Sequence, residues 1–228
     1  MKSAAALRAG LESALSPRFA VSLTWSARPT PECVPIGIPE LDALTGGLPR
    51  GAITEIHGAA SSGRTSLLAS ILAAAGGREE ICAVVDSDDA FDPASAEAAG
   101  MELSRLLWVR CAGRPDRALK AADLLIQGGG FGFLALDLGD TPVEIARRIP
   151  LASWFRFRRA IEDTRTVMLV LEREQTVKSC ASLTIEMRRE RAAWSGAPEC
   201  SRLLRGAHLE ARKPAGQERA AFDVRAVG

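Results

Sequence analysis

The sequence predicts an α/β fold: a mostly parallel central sheet with an antiparallel extension, plus a short N-terminal helix–strand arm. Three observations carry this. From about Ile36 onward, apolar strand-like runs alternate with helical patterns. Two of those runs, "ICAVVD" and "FGFLALD", are apolar almost throughout, as in strands covered by helices on both faces. The last strand-like runs follow one another without helices between them, which calls for antiparallel neighbours.

The arm comes first. Ala5, Leu7, Leu11, Ala14 and Leu15 fall near one helical face, and "FAVSLTW" at 19–25 alternates like a short strand. "SARPTPECVPIGIP" then carries four prolines in fourteen residues and reads as an extended linker. Residues 1–35 are therefore expected to form a docking arm and linker, and residues 36–228 the core domain. Within the core, strands are expected at 52–57, 81–86, 106–109, 131–137, 166–172, 181–187, 207–211 and 221–226. Helices are expected at 64–75, 93–99, 115–127, 142–148 and 150–163. The last of these contains "WFRFRR", which invites a nucleic-acid reading. Helical spacing instead puts Leu151, Trp154, Phe155 and Ile161 on one face, with Arg156 and Arg159 outward, so a core helix is expected.

With 228 residues the chain has room for one well-cored domain and a short appendage. No apolar run approaches the ~18 residues of a membrane span, and the N-terminus makes a poor signal peptide. The five cysteines are scattered and lack C-x-x-C spacing, which suits reduced thiols in a cytoplasmic protein. A net charge of +1 hides a segregation. Residues 1–146 hold 12 Lys/Arg against 18 Asp/Glu, and residues 147–228 hold 17 against 10. The basic C-terminal half could make non-specific contact with DNA, or be a set of solvated arginines. His57 and His208 lie in strand patterns and read as structural.

The chemistry concentrates in "ITEIHGAASSGRTSLLASILAAAG". A strand runs into Gly58, Ala59, Ala60, Ser61, Ser62, Gly63, Arg64, Thr65 and Ser66, which fit G-x-x-x-x-G-x-[ST], and a helix follows. Such a loop cradles phosphate with successive backbone N–H groups and a helix N-terminus. Thr65 is placed to offer its hydroxyl to Mg²⁺. Arg64 stands where the pattern wants lysine, and the exchange is not conservative, because arginine is longer, planar and differently solvated. Asp137 ends an apolar strand and is the candidate metal-holding carboxylate; otherwise it caps the next turn. Asp86, Asp88, Asp89 and Asp92 form an acidic turn after another strand, at the edge where ligands bind in open α/β sheets. They could equally be a solvated loop.

"GIPELDALTGGLPRGAITEIHGAASSGRTSLLASILAAA", "VVDSDDAFDPASAEAAGMELSRLLWVR", "FLALDLGDTP" and "VMLVLEREQ" resemble, in order, the RecA recombinases from the lead-in to the Walker A loop to the strand after Walker B. The resemblance covers roughly residues 36 to 226. It implies a RecA-like P-loop sandwich that binds ATP and Mg. It also implies that residues 5–25 resemble the arm with which protomers grip a neighbour. Carried over residue by residue, it puts the Walker lysine at Arg64, the catalytic glutamate at Asp88 and the adenine-packing tyrosine at Ser95. It puts Asp92 at the nucleotide. The glutamine ending the next strand aligns loosely with Gln175. Arg212 and Lys213 lie near basic residues that reach an adjacent protomer's ATP, or simply at an exposed strand end. Both DNA-binding loops are expected to be cut short, and no C-terminal domain is expected. A short, degenerate relative of this kind is similar to ImuA-type accessory factors of translesion DNA synthesis. The resemblance therefore implies a non-recombinase role in DNA-damage tolerance with weak or vestigial ATP binding. RecA-like protomers or a translesion polymerase complex are the implied partners, and a homo-oligomer is a further option. The alternative is a reduced ATP-dependent recombinase in which Arg64, Thr65, Asp88 and Asp137 hold and hydrolyse Mg-ATP.

Overall fold

Side chains that point alternately to the two faces of each strand build the sheet and sort its two cores. In the computed structural model, which describes residues 31–195, 203–213 and 218–225, the elements run β1 (Cys33–Val34), α1 (Pro39–Thr45), β2 (Leu48–Pro49), β3 (Ala52–His57), α2 (Arg64–Gly76), β4 (Cys82–Asp86), α3 (Pro93–Ala98), β5 (Leu106–Arg110), α4 (Pro115–Gly128), β6 (Phe133–Asp137), α5 (Val143–Ala146), α6 (Leu151–Ile161), β7 (Val167–Glu172), β8 (Ala181–Ser195), β9 (Leu203–Arg212) and β10 (Arg219–Arg225). The arm expected at 4–25 lies outside the described residues.

Eight strands pair in the order β10–β9–β8–β3–β7–β6–β4–β5. The six from β8 to β5 are mutually parallel. β9 and β10 join the β8 edge antiparallel. This is the mostly parallel sheet with an antiparallel extension that the sequence predicts.

Side chains alternate across each strand, so the sheet has two cores. Val84, Phe133, Ala135, Leu169 and Leu171 face α2, whose Leu67, Leu68, Ile71 and Leu72 cover them. Ala83, Val85, Leu134, Leu136, Met168 and Val170 face α4 and α6 on the other side. Because both faces are covered, those strands are apolar throughout rather than alternating.

Two differences from expectation have local causes. In α6 the buried positions are Trp154, Phe157 and Ile161, while Phe155 is 48% exposed and Leu151 is also exposed. The helix is a core helix, but Phe157 replaces Phe155 on its inner face. Spacing of three, four and seven residues connects Trp154, Phe157 and Ile161, and Phe155 lies a quarter turn away. The proline-rich stretch also packs earlier than a free linker would. Val34 pairs with Leu48, and Val34 and Ile36 are buried. Asp42 accepts hydrogen bonds from the backbone N–H groups of Ile36 (2.7 Å) and Gly37 (3.2 Å), which ties this entry segment to α1.

Candidate functional site

The loop from Gly58 to Gly63 joins β3 to α2 where the sheet's parallel strands end. Its two glycines are held by different contacts. A Cβ on Gly58 would lie 2.3 Å from the Met187 carbonyl and 2.7 Å from Ser62 Oγ. Gly63 has φ +93°, and a Cβ there would meet Leu209 of β9 at 2.3 Å. The close approach of β8 and β9 to these glycines appears only in the fold. Ser61 also has positive φ, 59°. Gly63 is the N-cap of the thirteen-residue α2 and has no side chain with which to cap it. The first N–H groups of α2 therefore remain available to an anion.

Cavities lie on either side of this loop. One, of about 270 Å³, is lined by Ser61 to Ser66 together with Arg189, Leu209 and Arg225. It shares Thr65, Ser66, Val224 and Arg225 with a groove of about 790 Å³ that reaches Asp92, Ser95 and Phe222. On the other side, a cavity of about 620 Å³ is lined by His57 to Ala60, Ser62, Arg173, Gln175 and Arg189. The loop residues and Ser95 are thus brought together with the β8–β10 extension, as a nucleotide running from phosphate loop to base groove would require.

Arg64 does not reach outward. It is only 8% exposed, and its Nη2 donates to the Gly139 carbonyl at 3.2 Å. Arg173, the first residue after β7, donates to the same carbonyl through Nε at 2.9 Å and reaches Asp140 through Nη2 at 3.1 Å. Two guanidinium groups therefore converge on the turn after β6. Burial pushes the Arg64 guanidinium below its usual value, against the attraction of Asp137 and Asp140. Its Nη1 is buried with no hydrogen-bond partner among the described residues.

Asp137 ends β6, as expected, and is 7% exposed. Burial raises its carboxyl to about 6, partly opposed by the Gly139 N–H that donates to Oδ1 at 2.8 Å. Asp137 and Arg64 flank Gly139. A Cβ there would lie 2.9 Å from Asp137 Oδ1 and 3.3 Å from Arg64 Nη2. Thr65 is exposed at the start of α2. The expected metal carboxylate thus stands beside a fixed guanidinium rather than an open cation position, an arrangement that does not favour a divalent metal ion there.

The acidic turn divides its labour. Asp86 is fully buried and accepts from the N–H groups of Asp88, Ala90 and Phe91 and from Trp108 Nε1, at 2.9 to 3.3 Å. It organises the turn. Asp88, the expected catalytic carboxylate, is half-buried and accepts from the Thr141 hydroxyl at 2.6 Å. It lines none of the three cavities beside the loop. Asp89 pairs with Arg110 at 3.0 Å. Asp92 lines the groove, but its carboxylate caps α3, accepting from the Ala94 and Ser95 N–H groups at 3.2 Å. The Ser95 hydroxyl, which also donates to it, holds Asp92 below the usual carboxylate range.

Residues 21–143 match the RecA N-terminal domain family. The chain belongs to the RecA family. It is similar to the RecA protein of Leifsonia xyli subsp. xyli, 31% identical over 159 residues, covering 61% of this chain and 43% of that protein. It is also similar to the RecA proteins of Methylococcus capsulatus, 39% identical over 111 residues, and of Brucella anthropi, 40% identical over 111 residues. Those two matches cover 46% of this chain and about a third of each relative, at 31% and 30%. The chain spans less than half the length of the curated relatives it matches.

Several ionisable positions beside this site escaped the sequence reading. Arg173, rather than Gln175, is the first residue beyond β7. Glu55 and Glu172 form a fully buried carboxylate pair on β3 and β7. Glu55 Oε1 accepts from the N–H groups of Thr176 and Val177 at 2.7 and 2.9 Å, and Glu172 Oε2 accepts from the Thr176 hydroxyl. Burial raises the Glu172 carboxyl to about 8 and raises Glu55 as well. A signal was available: acidic residues inside apolar parallel strands are anomalous. His57 lies beside the loop with its Nε2 buried and unpartnered, and burial lowers its pKa, so the neutral ring is favoured.

Part of the positive charge of the C-terminal half is paired within the β8–β10 extension. Glu186 accepts from both Arg188, at 2.7 Å, and Arg212. His208 contacts Asp223 at 2.9 Å and Glu190 at 3.5 Å, and Arg219 pairs with Glu210 at 3.4 Å. Arg212 is therefore a rung of a cross-strand ladder, not a free strand-end charge.

Proposed function

We propose that this protein is a non-recombinase member of the RecA family that acts as an accessory factor in DNA-damage tolerance, holding nucleotide without turning it over. The observation that carries this reading is the inward Arg64. A phosphoryl-transfer site needs a cation that stabilises charge developing on the transferred group. Here the guanidinium at that position is committed to the Gly139 carbonyl, and Asp88 is held by Thr141. Binding elements persist: the glycine-framed loop, the free N-terminus of α2 and the adjoining groove at Asp92 and Ser95. When bound, ATP would supply only a ligand-dependent shape, since Arg64 and Asp88 are engaged elsewhere.

Two short connections support the same reading. Only residues 138–150 separate β6 from α6, and only 173–180 separate β7 from β8. These are the places where the resemblance puts the DNA-binding loops. Strand exchange needs segments long enough to enter a stretched duplex. A translesion polymerase complex or RecA-like protomers are the partners this role implies, with the N-terminal arm as the docking element. Three-strand exchange with ATP is the test. No joint molecules are expected; their formation would favour a reduced recombinase instead.

A further inference from the structure

We propose that the site holds the phosphates of its nucleotide without a divalent cation, with Arg189 supplying the charge that faces the ligand and Arg64 the charge that stands against Asp137. This rests on the nucleotide-binding reading above and concerns how that site is neutralised.

A metal ion at a phosphate loop normally balances both the phosphates and a nearby strand-end carboxylate. Here a fixed guanidinium already stands near that carboxylate. Arg64 lies beside Asp137 across Gly139, with one nitrogen on the Gly139 carbonyl and the other unpartnered. Arg173 adds a second positive group on the same carbonyl. A divalent cation brought to this corner would meet fixed positive charge and a carboxylate whose proton affinity is already raised.

The first task falls to Arg189. It sits opposite Leu209 in the β8–β9 register, and directly opposed residues in antiparallel strands share a face. Leu209 is the residue that closes on Gly63, so Arg189 emerges on the loop side of the sheet. The register shifts immediately after it, between Arg189 and Arg191. Bulges of this kind re-aim side chains and recur beside functional sites. Arg189 is exposed and has no hydrogen bond or ion pair among the described residues, whereas its neighbour Arg188 is tied to Glu186.

Arg189 and Ser62 are the two residues that line both cavities flanking the loop. Ser62 is only 3% exposed, and its Oγ has no partner. A buried donor without an acceptor is costly unless something fills the place. An anion seated on the loop would be met by the Ser62 hydroxyl, the α2 N–H groups and the Arg189 guanidinium.

The test uses the full chain, with ATP and inorganic pyrophosphate as probes, by calorimetry in excess EDTA and again in MgCl2. The expected dissociation constants agree within ~3-fold between the two buffers. Arg189→Ala should weaken both probes by ~10-fold or more, the size of one lost charge-assisted contact, and Arg189→Lys should recover part of that. Arg189 is exposed, so circular dichroism should show an unchanged fold. Binding that requires magnesium, or wild-type affinity in Arg189→Ala, overturns the proposal. Magnesium-dependent binding without turnover overturns it while leaving the accessory reading intact. Absence of binding in either buffer overturns it together with the nucleotide part of that reading.

Discussion

The parallel heart of the sheet and its antiparallel extension handle charge in opposite ways. Beneath the loop, Glu55, Glu172, Asp137 and Arg64 are buried, and Glu55 Oε2, Glu172 Oε1 and Arg64 Nη1 have no partner among the described residues. On β8, β9 and β10 the charges are numerous and more exposed, and several are paired: Glu186 with Arg188 along β8 and with Arg212 across to β9, Glu210 with Arg219, His208 with Asp223. Formal charge is therefore a poor guide to binding here. The half with the larger positive balance ties some of its cations into its own ladders and leaves others, Arg189 among them, outside. The few charges able to act on a ligand are those that the ladders leave out, such as Arg189, and those buried where water cannot screen them.

The largest way to break this contrast is through the backbone that brings the two regions together. Gly58→Ala would place a methyl 2.3 Å from the Met187 carbonyl of β8. Backbone cannot swing aside as a side chain can, so a loss of about 3 kcal/mol is expected by chemical denaturation. Gly63→Ala meets only the flexible end of Leu209 and a strained φ, and should cost less.

Next comes pH. The folded state raises Glu172 from 4.5 to about 8 and Asp137 from 3.8 to about 6. A carboxyl whose folded pKa is raised binds more protons folded than unfolded. Stability therefore falls as pH rises from the unfolded value to the folded one, by at most about 1.4 kcal/mol per pH unit for each group. Between pH 6 and 8 the fall belongs to Glu172. Glu172→Gln should flatten melting temperature across that range and leave the variant more stable than the parent at pH 8. A parent profile that rises towards pH 8 would contradict the buried-pair description.

The smallest effect is expected on the extension. Glu186→Gln removes the acceptor shared by Arg188 and Arg212, yet surface pairs contribute about 0–1 kcal/mol, so stability should barely move. Freeing two arginines should instead raise salt-sensitive DNA binding, measured by fluorescence anisotropy across ionic strength. Unchanged binding would show that this face does not meet DNA.

How much was legible beforehand follows the same division. The strands at 52–57, 106–110 and 167–172 and the helices at 64–76 and 115–128 stood in the sequence within a residue or so, because burial on both faces writes continuous apolar runs and helical faces repeat. The loop was legible because glycines and a hydroxyl at fixed spacing have few other uses. β8 was legible only over 181–187; its outer part, "RRERAAWS", is charged and was not expected as strand. It is a strand only because β9 returns along it. The direction of Arg64 could not be read either. A sequence shows which residue holds a position, but only packing against Gly139 and Asp137 shows where its guanidinium goes.

The most direct measurement is steady-state phosphate release from Mg-ATP with saturating single-stranded DNA, run beside Arg64→Ala and Arg64→Lys. Release by the parent chain is expected to stay at the protein-free background while ATP remains bound, and Arg64→Ala should not lower it further. Sustained DNA-stimulated turnover by the parent, abolished in Arg64→Ala, would mean that Arg64 reaches the phosphates and would contradict its inward commitment to Gly139.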